Sequence, residues 1–84
     1  MKQTTKNSVI RIIAEKLGDD ISEVTEESTL YSIGADSLDV VEILIEMESY
    51  FGISIPIAYY DAVKPYEITV KEVIDVVENY IKAK

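Results

Sequence analysis

Cysteine and histidine are both missing from this chain, and the two absences remove most side-chain chemistry at once. Without cysteine there is no disulfide framework and no thiolate to hold a metal. Without histidine a Ser-His-Asp relay is impossible. No apolar run reaches the ~18 residues of a membrane-spanning helix. The polar opening, Met1 to Ser8, lacks the apolar stretch of a secretory signal, so the expected compartment is the cytoplasm. Basic residues are scarce, 8 against 16 acids, for a net charge of −8. Nucleic-acid binding needs a basic face and is not expected. A Gly-x-Ser-x-Gly elbow, a Gly-rich phosphate loop with its lysine, and calcium-loop spacing are all missing. Neither an enzyme nor a metal centre is expected.

What is present is enough for one small packed domain spanning 1–84. The chain has 84 residues and 48% are hydrophobic, too many for disorder. Val9, Ile12, Ile13 and Leu17 follow a helical stripe, which predicts a first helix over Thr4 to Leu17, with Thr4, Thr5 or Asn7 as its cap and Gly18 as its stop. Residues 18–36 are rich in Ser, Thr and Gly and read as a long connection. A loop of this length in so small a domain should pack its apolar residues onto the core, here Ile21, Leu30 and Ile33. A second helix is predicted over Ser37 to Tyr50, capped by Asp36 or Ser37 and ended by Gly52. A short third segment lies between Pro56 and Pro65. The last helix opens on Thr69-Val70-Lys71-Glu72, a capping-box pattern, and carries a stripe of Val70, Val73, Ile74, Val77 and Ile81. The expected fold is all-α: a small four-helix bundle of three main helices and one short one, with a long loop between the first two.

The second helix has more apolar residues than one core face needs. At about 100° per residue, Val40, Ile43, Leu44, Met47 and Phe51 share one arc, which is the expected core face. Leu38, Val41 and Ile45 form a second stripe roughly 135° away. Asp39, Glu42 and Glu46 flank it on one side and Glu48 on the other. A narrow apolar strip in an acidic frame suits a partner with an apolar patch ringed by Lys or Arg. The strip begins beside Ser37. A serine ahead of an apolar run is, taken alone, most simply a helix cap. Here it follows a glycine turn, with no base anywhere in the chain to activate it, so it suits modification by another enzyme. A phosphate ester at this place would lie against unpaired backbone N–H groups at the positive end of a helix.

The run Gly34-Ala35-Asp36-Ser37-Leu38-Asp39-Val40-Val41-Glu42 resembles the phosphopantetheine attachment motif of acyl carrier proteins. Phe51-Gly52-Ile53-Ser54-Ile55-Pro56 is similar to the segment that closes that family's second helix. Residues 9–17, with Leu30 and Gly34, resemble its first helix and long loop. The resemblance implies a monomeric four-helix carrier with a 4′-phosphopantetheine arm on Ser37, transferred from coenzyme A by a phosphopantetheinyl transferase, the holo-carrier synthase. It implies acyl cargo held as a thioester for fatty-acid synthesis enzymes or acyltransferases with basic docking patches, or for related lipid or polyketide enzymes. The family's recognition helix falls on Asp36, Leu38, Asp39, Val41, Glu42, Ile45 and Glu48. Its cargo space falls near Ile43, Leu44 and Met47. The segment Ile57-Ala58-Tyr59-Tyr60-Asp61 departs from the acidic run that fatty-acid carriers usually place after Ile-Pro. It is a little like that of D-alanyl carrier proteins, which leaves an aminoacyl carrier as the alternative.

Overall fold

The computed structural model describes residues 2–83. Four helices form among them: α1 (Lys2–Leu17), α2 (Ser37–Phe51), α3 (Ile57–Ala62) and α4 (Val70–Lys82). No described helix is long and apolar enough to cross a membrane. The core-facing stripe of each long helix finds a partner. From α1, Val9, Ile12 and Ile13 are buried; from α2, Val40, Ile43, Leu44 and Met47; from α4, Val70, Val73, Ile74 and Val77. α1 packs against both α2 and α4, so the core lies between these three. The radius of gyration, 11.5 Å, is close to the roughly 12 Å expected of a compact domain of this length.

α1 begins earlier than its pattern suggests. Thr4, Thr5 and Asn7 are interior to the helix rather than caps. The early turn is tied to the long loop by an ion pair between Lys6 and Glu26 (2.6 Å), a tertiary contact that no local capping rule registers.

The long connection is two short 3-10 turns, Ile21–Glu23 and Tyr31–Ile33, separated by a segment hydrogen-bonded to the start of α4. Leu30 N–H donates to Ile68 O (3.0 Å), Val70 N–H to Ser28 O (2.9 Å) and Lys71 N–H to Glu26 O (3.0 Å). The first two close an antiparallel bridge at Thr29 and Thr69. This contact also completes the cap of α4. Thr69 Oγ1 accepts from Glu72 N–H (3.2 Å). Loop carbonyls take the N–H groups of Val70 and Lys71, which no helical carbonyl can reach.

The loop buries Leu30 completely and leaves Ile33 half-buried against the core. Ile21 does not join them. It is 53% exposed, and Val24 is buried in its place. The backbone supplies the reason: Val24 leaves the 3-10 turn in an extended conformation, so it diverges from Ile21 instead of continuing the turn's direction.

Candidate functional site

Leu30 and Ala35, respectively 0% and 2% exposed, pin the ends of the turn that presents Ser37. Ala35 N–H donates to Leu30 O (3.0 Å), and Gly34 N–H donates to Tyr31 O (3.1 Å). Gly34 reverses the chain at φ 104°, a conformation that a side chain would strain. Asp36 then turns extended and caps α2. Its Oδ1 accepts from Asp39 N–H (2.9 Å), while Asp39 Oδ2 accepts from Asp36 N–H (3.1 Å). This reciprocal box uses an aspartate where Glu or Gln is customary.

The box settles which residue caps the helix, and it leaves Ser37 unengaged. Ser37 is the first residue of α2, it is exposed, and its hydroxyl has no hydrogen bond among the described residues. The N–H groups of Asp39 and Val40 go to Asp36. Those of Ser37 and Leu38 face outward at the positive end of the helix.

The second stripe runs away from this point along α2. Leu38 is 65% exposed and Ile45 52%, with Val41 half-buried between them. Along its acidic side, Glu42 forms an ion pair with Lys16 of α1 (2.8 Å). Lys16 reports the field of this row: its ammonium pKa is raised, chiefly by the hydrogen bond to Glu42, then by the charges of Glu42, Glu46 and Asp39. The row therefore favours a cation held beside it.

The phosphopantetheine attachment site family matches residues 7–62, from α1 through α3. The acyl carrier protein of Thermotoga maritima is 40% identical over 74 residues, covering 87% of this chain and 86% of that protein. The acyl carrier protein of Porphyromonas gingivalis is 37% identical over 78 residues, covering 92% and 95%. The chain belongs to the acyl carrier protein family.

It is therefore a carrier and not an enzyme, and its prosthetic group is 4′-phosphopantetheine. The residues around Ser37 fit that group. A phosphodiester attachment needs an accessible, unengaged hydroxyl and donors for the phosphate oxygens. The exposed Ser37 Oγ and the outward N–H groups of Ser37 and Leu38 supply both.

Glu48 has a different setting from the rest of the acidic frame. Gly52 ends α2 at φ 65° and turns the chain back along the helix. Ile55 N–H then donates to Glu48 Oε2 (2.6 Å), and the Tyr60 hydroxyl donates to Oε1 (2.7 Å). Both oxygens thus hold the carrier's own backbone and α3. Burial, then the bond to Glu48 and its charge, push the Tyr60 phenol well above its ordinary pKa. The neutral phenol is the form the fold favours. Its stabilisation is complete below the unfolded tyrosine value of about 10 and is lost as pH rises beyond it. Tyr60→Phe should lower stability by about 1 kcal/mol at neutral pH. It should also flatten the decline above pH ~10, because the raised phenol is gone. Chemical denaturation at several pH values measures both effects.

Ile43, Leu44 and Met47 are all 0% exposed and close the core. The carrier has a groove elsewhere. It has a volume of about 240 Å³ between α3 and the start of α4, lined by Tyr59, Ala62, Val63, Lys64, Glu67, Ile68 and Glu72. None of the three α2 residues lines it. Sequence reasoning missed these groove residues, and the signal available was the unusual run of tyrosines and apolar residues on so short a helix.

Proposed function

We propose that Ser37 Oγ carries the 4′-phosphopantetheine arm and that this cytoplasmic, monomeric carrier delivers acyl groups to enzymes of fatty-acid or related lipid and polyketide synthesis. The observation that carries the reading is the division of labour at the start of α2. Asp36 does the capping, so the adjacent hydroxyl is exposed and unengaged. A separate transferase moves phosphopantetheine from coenzyme A to this oxygen, and adenosine 3′,5′-bisphosphate leaves. The arm supplies the terminal thiol that the chain lacks, and acyl groups are held there as thioesters. Incubation with coenzyme A and a phosphopantetheinyl transferase, followed by intact-mass measurement, tests the attachment. Intact mass of carrier isolated from its own cells tests the cargo: a fatty chain supports the reading, and an aminoacyl adduct replaces it with the aminoacyl alternative.

The docking face in this reading is Asp36, Leu38, Asp39, Val41, Glu42 and Ile45, with Glu48 behind it holding α3 in place. An enzyme with an apolar patch ringed by Lys or Arg would bury the strip and replace Lys16 beside Glu42. Glu42→Lys should lower kcat/KM of the transferase on the carrier on the order of ten-fold, through slower association. The Lys16–Glu42 pair is solvent-exposed and contributes little to stability, so the variant should still fold. Unchanged transfer kinetics in a folded variant would remove Glu42 from the face.

A further inference from the structure

Four of the six tyrosines have a structural task. Tyr59, Tyr60 and Tyr80 pack against the core. Tyr50 Oη accepts a hydrogen bond from Arg11 (3.2 Å), whose guanidinium lies over the ring. Tyr31 and Tyr66 have neither kind of contact. They are 66% and 59% exposed, and among the described residues neither hydroxyl has a hydrogen-bond partner. One peptide group places both near the start of α2. Its N–H, that of Tyr31, donates to Pro65 O (2.9 Å), which brings Tyr66 alongside. Its carbonyl, that of Leu30, accepts from Ala35 N–H (3.0 Å). Ala35 lies two residues before Ser37, at most ~7 Å along the chain.

We propose that Tyr31 and Tyr66 form an aromatic platform on which the 4′-phosphopantetheine arm lies between deliveries. The inference rests on Ser37 being the attachment point. Three observations carry it. The first is reach. The arm's chain is as long as about four extended residues, on the order of 14 Å, so from Ser37 it passes the Leu30–Tyr31 peptide with length to spare. The second is charge. The phosphodiester is an anion, and Asp39, Glu42 and Glu46 run down α2. Residues 28–35 contain no acid, and Lys64 is an exposed cation two residues before Tyr66, with Glu67 after it. The anion therefore favours the loop side of Ser37 over the α2 side. The third is chemistry. The arm alternates methyl and methylene groups with a hydroxyl and amides. A tyrosine ring covers the apolar groups, and its hydroxyl both donates and accepts. A platform on this side leaves Leu38, Val41 and Ile45 uncovered, so a partner can dock on the strip before the arm is lifted.

The test loads the full-length carrier from coenzyme A with a phosphopantetheinyl transferase and confirms the product by intact mass. Its NMR spectrum is then compared with that of the chain before loading. The ring signals of Tyr31 and Tyr66 should shift and show cross-relaxation with the arm's methyl groups, and those of Tyr50 should do neither. The double variant Tyr31→Ser, Tyr66→Ser, brought to the same loaded mass, should give arm signals as sharp as those of a freely moving chain. Tyr50→Ser, which removes an exposed tyrosine elsewhere, should keep the contacts to Tyr31 and Tyr66. A carrier of the loaded mass whose Tyr31 and Tyr66 rings do not shift, or whose arm contacts Leu38, Val41 and Ile45 instead, would overturn the platform while leaving the attachment intact. A carrier that gains no mass would overturn the attachment at Ser37 and the platform with it.

Discussion

Ser37→Ala should give a folded carrier that cannot be loaded. Incubated with coenzyme A and a transferase, the parent chain gains the mass of the arm and the variant gains none, a loss of essentially the whole signal. The reason is chemical. Attachment needs one hydroxyl, and among the described residues the start of α2 presents no hydroxyl but that of Ser37. The fold should not notice the change. Ser37 Oγ makes no hydrogen bond among the described residues, and the helix is capped by Asp36 and Asp39. A substitution away from any cap or core contact stays within about 0.5 kcal/mol. Asp36→Ala provides the contrast. It removes the cap and should cost about 1 kcal/mol although it touches no attachment atom. Paired melts and mass spectra separate the two roles. A Ser37→Ala carrier that still gains the arm's mass would move the attachment elsewhere.

The same separation explains what could be read from the chain without its structure. α1, α2 and α4 were legible because their apolar residues repeat at a helical period, and burial follows that repeat closely. The surroundings of Ser37 were legible because glycine, cap and first turn are consecutive in sequence. Which of Asp36 and Ser37 caps α2 was not, since both residue types can do so. Ile21 and Val24 were not assignable either: an irregular segment has no period, so composition cannot say which apolar residue turns inward. Glu48 shows a third limit. On a helical wheel it lies at the edge of the apolar strip, but its role depends on the reversal at Gly52, which brings Ile55 and Tyr60 back to it. The groove depends on α3 and α4 together, and no single segment encodes it.

Leu30→Ala should be among the most damaging single changes in the chain, although Leu30 belongs to no α-helix. Its side chain is fully buried, so truncation removes packing contacts and leaves a cavity, a loss of about 2–5 kcal/mol. A domain of this size has only roughly 4–13 kcal/mol in total. The melting temperature should therefore fall by at least ~8 °C. Ile21→Ala, in the same connection, should change it little, because Ile21 is 53% exposed. The comparison holds residue type nearly constant and varies only burial. Leu30 is also where the loop, the start of α4 and the presentation of Ser37 meet: its N–H reaches Ile68 and its carbonyl receives Ala35. Hydrogen exchange of the Ala35 and Val70 amides should accelerate in parallel with global unfolding, showing that the long connection opens with the core and not ahead of it. Equal melting temperatures for the two variants would mean that the loop is an accessory to the bundle. A drop confined to Leu30→Ala would mean that the segment presenting the serine is held by the same core that holds the helices.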